Sequence, residues 1–276
     1  MNVGPAREVV DGVSRRLSRT AARAWVRSGQ RRAARHHEPP VDDGRLYAPF
    51  RSLIDELAPG RSFADMGCMW RLDGQVAFYA EERGATRTTA VDAAPRTEKF
   101  DAEHERRDSK VRFVRADLHL TTSIEPPVPH PDIVGTGLDD VGVHDVVWCT
   151  GVLYHTPNPF LLFRNLISIT GHTLVLGTKS IPEVPGVPNA TVFFPGLSEA
   201  QRATYAPLWG AGITPPFDQD PMQSYANWWW GLSPSALRGF VETCPGFRVR
   251  DTIELPYHGY DDNCLLVVEA SGDRRT

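Results

Sequence analysis

Phe247-Arg248-Val249-Arg250-Asp251-Thr252-Ile253-Glu254-Leu255 and Cys264-Leu265-Leu266-Val267-Val268-Glu269-Ala270 read as two apolar strands near the end of a 276-residue chain. Only a short link separates them, and strands joined so closely pair antiparallel, because a parallel return needs a crossover of roughly a dozen residues. Upstream the rhythm differs. Ser62–Met66, Thr88–Val91 and Val111–Arg115 read as strands, separated by helices over Gln75–Arg83 and Arg96–Arg106. After a Pro/Gly-rich stretch come a strand at Asp145–Cys149, a helix at Phe160–Ile167 and a strand at Thr173–Gly177; a helix over Pro234–Thr243 leads into the final pair. Repeated strand-helix-strand units imply a parallel sheet. The expectation is an α/β fold: a mostly parallel seven-stranded sheet with a C-terminal antiparallel hairpin. Proline-rich residues 180–225, with Phe193, Phe194, Tyr205 and Trp209, leave little room for long regular elements and read as part of an inserted cap over 180–232.

Composition narrows the class. With 41% hydrophobic and 23% charged residues, the chain suits one large α/β domain. No apolar run approaches the roughly 20 residues of a membrane span. Met1-Asn2-Val3-Gly4 followed by arginines is not a secretory leader, so no membrane span and a cytoplasmic location are expected. Cys68, Cys149, Cys244 and Cys264 lie far apart without a paired spacing, which suggests buried residues rather than a zinc site or a disulfide framework. Net charge is −4, yet residues 1–37 hold nine arginines against Glu8 and Asp11. The rest is therefore acidic, which argues against nucleic acid lying across the body, and any RNA role would rest on the N-terminal arm. In that arm Val9, Val10, Val13, Leu17, Ala21 and Trp25 recur at helical spacing, an amphipathic helix expected to dock on the domain. Residues 1–44 form arm and linker, and 45–276 the main domain, opening with a helix over Tyr47–Leu57.

Three acids stand at successive strand ends: Asp65, Asp92 and Asp117. The carboxyl edge of an open parallel sheet is where ligands bind. Asp65-Met66-Gly67-Cys68 opens a glycine turn that continues through Trp70 to Gly74 and a helix, so backbone amides and a helix N-terminus can face an anionic group. The loop lacks GxGxxG, which disfavours a dinucleotide pyrophosphate. Asp92 is placed to accept from ribose hydroxyls, and Asp117 lies near where an adenine would rest. Each acid alone is equally explained as a helix N-cap.

The most informative segment is Asp145-Val146-Val147-Trp148-Cys149-Thr150-Gly151-Val152-Leu153-Tyr154-His155-Thr156-Pro157-Asn158-Pro159. An apolar strand, a glycine and Tyr-His before proline put two proton-active side chains on a tight loop. Taken together these stretches resemble class I S-adenosylmethionine (AdoMet)-dependent methyltransferases, whose Rossmann-like sheet also ends in an antiparallel hairpin. Gly151-Val152-Leu153-Tyr154-His155 with Asn158-Pro159, and Trp228-Trp229-Trp230-Gly231-Leu232-Ser233-Pro234, are similar to relatives of the bacterial tRNA wobble-uridine carboxymethyltransferase. The resemblance spans about residues 45–270.

The resemblance implies AdoMet as cofactor. Asp65, Gly67, Cys68, Trp70 and Gly74 would hold its methionyl part, Asp92 and Ala93 the ribose, Asp117 and Leu118 the adenine, and Thr150 and Gly151 the sulfonium region. The stretch from Cys68 to Asp73 departs from the family's shorter turn, and Arg71 is expected to point outward or toward the methionyl carboxylate. Methyl transfer is an in-line displacement, so positioning dominates. A hydroxyl acceptor needs a base, and His155 is the candidate, with Tyr154 orienting the acceptor; a histidine there is equally explained as a helix cap or a backbone contact. Tyr225, Trp228, Trp229 and Trp230, with Phe193, Phe194 and Tyr257, suggest an aromatic chamber for a flat or sugar-like small molecule. A tRNA-modifying transferase using the arginine arm, a nicotinamide-dependent oxidoreductase and an AdoMet-binding protein without catalysis are the competing expectations.

Overall fold

The computed structural model describes residues 46–70, 72–118, 137–198, 200–201, 229–255 and 264–272. The arginine arm, Arg71, Tyr225, Trp228 and Tyr257 lie outside them. Elements are numbered in chain order. Seven strands form one sheet: β1 (Ser62–Met66), β2 (Arg87–Asp92), β3 (Arg112–Arg115), β4 (His144–Cys149), β5 (Thr170–Thr178), β8 (Phe247–Glu254) and β9 (Cys264–Ala270). Their spatial order is β3-β2-β1-β4-β5-β9-β8. The first five run parallel, whereas β9 pairs antiparallel with both β5 and β8. Among the described residues five helices accompany them: α1 (Ala48–Leu57), α2 (Gln75–Glu82), α3 (Glu98–Arg106), α4 (Pro159–Ser168) and α5 (Pro234–Glu242).

The sheet is buried on both faces, and period-two alternation sorts its side chains. Phe63, Val146, Trp148, Val175, Leu265 and Val267 face one core with Phe50, Ile54 and Leu57 of α1. Ala64, Met66, Val147, Cys149, Leu174, Leu176, Leu266 and Val268 face the other, with Leu162, Phe163 and Leu166 of α4. Double burial is why these strands read as continuous apolar runs. Each Val, Leu, Ile, Phe or Met side chain among them contributes about 1.5–3 kcal/mol on leaving water. Trp148 packs edge-on to Phe50 and stacked on Phe63, which fastens α1 to the sheet.

The outer strand β8 is an edge, and its Arg248, Arg250, Asp251 and Glu254 suit solvent and discourage pairing with another chain. Its register shifts between Val249 and Asp251. Arg250 there reaches Glu56 of α1 at 2.6 Å. The starts of α3, α4 and α5 carry side-chain caps: Thr97, Asn158 and Ser233 accept from the amides of Phe100, Leu161 and Ala236. Each cap stabilises by about 1 kcal/mol. The Thr97 cap starts α3 at Glu98, two residues after the expected Arg96, and β5 runs three residues earlier than its apolar core suggested. In the cap region β6 (Thr191–Phe193) pairs antiparallel with β7 (Trp230–Leu232). Among the described residues no helix is long and apolar enough to cross a membrane.

Candidate active site

Strand order reverses between β1 and β4: the chain leaves β1 for β2 and β3 on one side, then returns to β4 on the other. Their carboxyl ends are aligned, Met66 opposite Cys149. Loops leaving such a pair diverge and open a crevice, the usual ligand position in a doubly wound sheet. Asp65 and Gly67 stand on one lip, Thr150 and Gly151 on the other.

Gly67 adopts φ +80° and donates its amide to Val91 O at 2.8 Å, while the Cys68 amide reaches the same oxygen at 3.2 Å. A Cβ at Gly67 would lie 2.3 Å from Cγ2 of Val152, so only glycine lets the two loops meet. The loop closes where the Gly74 amide donates to Cys68 O at 2.9 Å, and Gly74, at φ +79°, begins α2. A Cβ at Gly74 would strike the Phe100 ring at 2.5 Å. Cys68 is buried under this turn, whereas Trp70 is 79% exposed at its outer bend.

Asp65 is buried at the end of β1, and its Oδ2 has no hydrogen-bond partner among the described residues. Burial pushes its carboxyl up to about 8; a hydrogen bond from the Ala77 amide opposes that, and the nearby Asp92 adds to it. An unpartnered buried carboxylate oxygen is costly unless a cationic group meets it. Asp92 differs. Its Oδ2 accepts from the Met69 amide at 2.8 Å and its Oδ1 from the Ala94 amide at 2.8 Å. A carboxylate offers about four lone-pair sites, so room remains for ribose hydroxyls. Burial also raises the Asp92 carboxyl, against hydrogen bonds from Met69, Ala94 and Ala93. The same burial and the two acids hold the Cys68 thiol well above its ordinary range, which keeps it neutral.

Asp117 and Leu118 follow β3 and are both buried, with Leu118 O receiving the Asn165 side-chain amide at 3.0 Å. Ala93 O accepts from Arg115 Nε at 3.0 Å, which ties the ends of β2 and β3 together. Beyond β4, Thr150 Oγ1 accepts from the buried Trp148 indole at 3.2 Å. Gly151 has φ +75°, and a Cβ on it would meet nothing within 4 Å, so the chain borders open space there. Leu153–His155 then form one turn of 3₁₀-helix in which Tyr154 is buried and His155 half-buried, their rings 4.0 Å apart. The cap of α4 is the Asn158 side chain, not His155.

The β6–β7 pair leans on this turn. Trp229 N donates to Tyr154 O at 2.8 Å, and the Trp230 indole donates to Pro157 O at 3.0 Å. Phe193 lies tilted on Trp230 at 4.8 Å and stacked on Trp229 at 6.2 Å. Phe194, by contrast, is fully buried. A Cβ at Gly231 would come 2.6 Å from Ile181 and 3.0 Å from Phe194, so this glycine sets how closely the cap approaches β5. Two features were not visible in the sequence: the Met69–Asp92 bond, and the burial of Lys179 directly after β5 on the carboxyl edge. Only a lysine after an apolar strand end signalled the second.

No protein-family model and no curated protein matches the sequence. Solved structures do match in shape. The N-terminal domain of EvdMO1, with SAH and D-fucose, is 13% identical over 89% of this chain and 97% of its own, with TM-score 0.50. The [4+2]-cyclase SpnF is 14% identical over 85% and 86%, also at 0.50. Magnesium protoporphyrin IX methyltransferase from Synechocystis PCC 6803, with SAM, is 15% identical over 81% and 78%, at 0.47. At such identities the likeness is one of architecture, and the chain has a Rossmann-like fold with a C-terminal antiparallel pair, as in EvdMO1 and SpnF.

Proposed function

We propose that this chain binds AdoMet in the crevice between β1 and β4 and transfers its methyl group to a small-molecule acceptor under the cap. The observation that carries the reading is the buried Asp65, whose Oδ2 is unpartnered among the described residues beside the positive-φ Gly67. An α-ammonium group is the partner such an acid calls for. Asp92 suits ribose hydroxyls with its remaining lone pairs, Asp117 and Leu118 frame the adenine, and Thr150 and Gly151 border the reacting end. Cys68 and Gly74 shape the methionyl loop, with Trp70 at its outer bend. The SAH in EvdMO1 supports the same ligand class, and the D-fucose named with it is consistent with a sugar-like acceptor.

When bound, AdoMet would supply an electrophilic methyl on a positively charged sulfur. The protein's work is then to hold an acceptor in line, exclude water and receive a proton. Tyr154 and His155 stand on the turn after Gly151, and His155 would take the proton of an acceptor hydroxyl. Trp229 and Trp230, with Phe193, offer flat apolar walls for an aromatic or sugar-like acceptor. Tyr225 and Trp228 belong to the same proposed chamber.

SAH release across a panel of phenols, sugars and amines tests this reading, with His155→Ala in parallel. Acceptor-dependent release, lost at least tenfold in the variant with AdoMet affinity intact, is expected. AdoMet binding without release on any acceptor would favour a non-methylating AdoMet protein, a reading that gains weight because a cyclase shares the fold.

A further inference from the structure

The opposite, amino edge of the sheet carries a cavity of about 350 Å³. Arg87 at the start of β2, Arg112 at the start of β3 and Lys110 line it, together with Glu81, Ala85, Thr86 and Thr88. Arg83, Arg106 and Arg107 meet carboxylates at the ends of α2 and α3. Arg87 and Arg112 have none among the described residues. Arg87 Nη2 donates to Val143 O at 2.7 Å, and Arg112 Nη2 donates to Asp140 O at 3.0 Å and Val141 O at 3.3 Å. Backbone carbonyls orient these guanidiniums without cancelling their charge.

Glu81 is the acid in the wall, and both its oxygens are engaged: Oε2 accepts from Ser109 Oγ and Oε1 from the Lys110 amide, each at 2.6 Å. Lys110 Nζ meets Asp108 at 3.0 Å with both groups exposed to water, a weak restraint. Thr88 adds to the wall from the opposite face of β2, where its hydroxyl is buried, while its neighbour Thr89 meets His144 at 3.0 Å on the face that Arg87 and Arg112 share. Burial holds the neighbouring His144 imidazole toward its neutral form, and the charges of Arg87 and Arg112 act in the same direction.

We propose that this cavity is an anion site for a phosphate group, taken either as free phosphate or as a small phosphate monoester. Two planar guanidiniums with unused N–H groups match tetrahedral oxyanions in geometry, and the ammonium adds charge. The site is separate from the AdoMet crevice and stands whether or not that reading holds.

Calorimetric titration of the full chain at low ionic strength, with inorganic phosphate and with glycerol 3-phosphate, tests it. Saturable binding is expected, weakened at least tenfold in an Arg87→Gln/Arg112→Gln double variant. Tighter glycerol 3-phosphate identifies a monoester site, and equal or weaker binding a free-phosphate site. Circular dichroism and an unchanged urea unfolding transition would show that the double variant folds. Absence of saturable binding, equal binding by the double variant, or an equal effect of chloride at matched ionic strength overturns the proposal.

Discussion

The Met69 amide donates to Oδ2 of Asp92 across 2.8 Å, so the acid at the end of β2 holds the loop that leaves β1. Asp92→Ala would release that loop and leave the Ala94 amide unpaired as well. AdoMet affinity should fall by about 1–3 kcal/mol, roughly fivefold to 150-fold, with Asp92→Asn intermediate because it keeps one acceptor oxygen. Titration calorimetry reads the change, and wild-type affinity in Asp92→Ala would remove the residue from the site.

Asp65 makes cofactor binding a proton-linked event. With its carboxyl raised to about 8, the free protein carries it mostly protonated at pH 7, and an ammonium ligand needs it ionised. Binding near pH 6.5 should therefore release close to one proton, and affinity should climb by up to about tenfold per pH unit. The rise should flatten near pH 8, where an α-amino group begins to lose its own proton. Calorimetry in buffers of differing ionisation enthalpy counts the proton; none released, or the same release in Asp65→Asn, would refute the linkage. For stability the sign is opposite: the raised value favours folding at low pH, and that contribution is lost as pH rises from 3.8 toward 8.

His144 imposes the reverse trend. Its Nδ1 faces Gly142 O at 3.0 Å, an oxygen that can only accept, so Nδ1 carries the proton and Nε2 accepts from Thr89 Oγ1. Burial lowers the imidazole to about 4, followed by the charges of Arg87 and Arg112, against the Gly142 bond. Its stabilisation is present above 6.5 and lost as pH falls from 6.5 to 4, a span of up to about 3 kcal/mol. Urea denaturation of wild type and His144→Gln across that window should show a weaker pH dependence in the variant; parallel curves would contradict the assignment.

Glycine positions on the two lips should respond differently. At Gly67 an alanine meets Val152 Cγ2 at 2.3 Å and strains a φ of +80°, whereas at Gly151 it enters open space with only the φ of +75° to bear. Gly67→Ala should cost about 1–3 kcal/mol more in stability than Gly151→Ala, and should shift the Val152 turn that carries Tyr154 and His155. Thermal unfolding of both variants decides between this order and its inverse.

The fold was legible because its cores are sorted by alternation. Phe63, Trp148 and Leu265 on one face, with Met66, Cys149 and Leu266 on the other, leave runs that read as strands without any alignment. The short link before Cys264 announced the antiparallel pair. Boundaries drifted where a side chain decides them, as at Thr97, whose hydroxyl caps α3. The β6–β7 pairing stayed hidden because Val192 and Gly231 come together from 39 positions apart in the chain, with no turn signal joining them. In the site, the three acids were legible from their places at strand ends. Their different electrostatic states were not: Asp92 accepts from amides that only the folded loop supplies, while one oxygen of Asp65 has no partner among the described residues.

The most direct test of the central claim is calorimetric titration of the full chain with SAH and, separately, with NADH. Micromolar SAH binding that is lost in Asp65→Ala, with none for NADH, is the predicted result. No SAH binding, or NADH binding in its place, would contradict the assignment of the crevice between Gly67 and Gly151 to AdoMet.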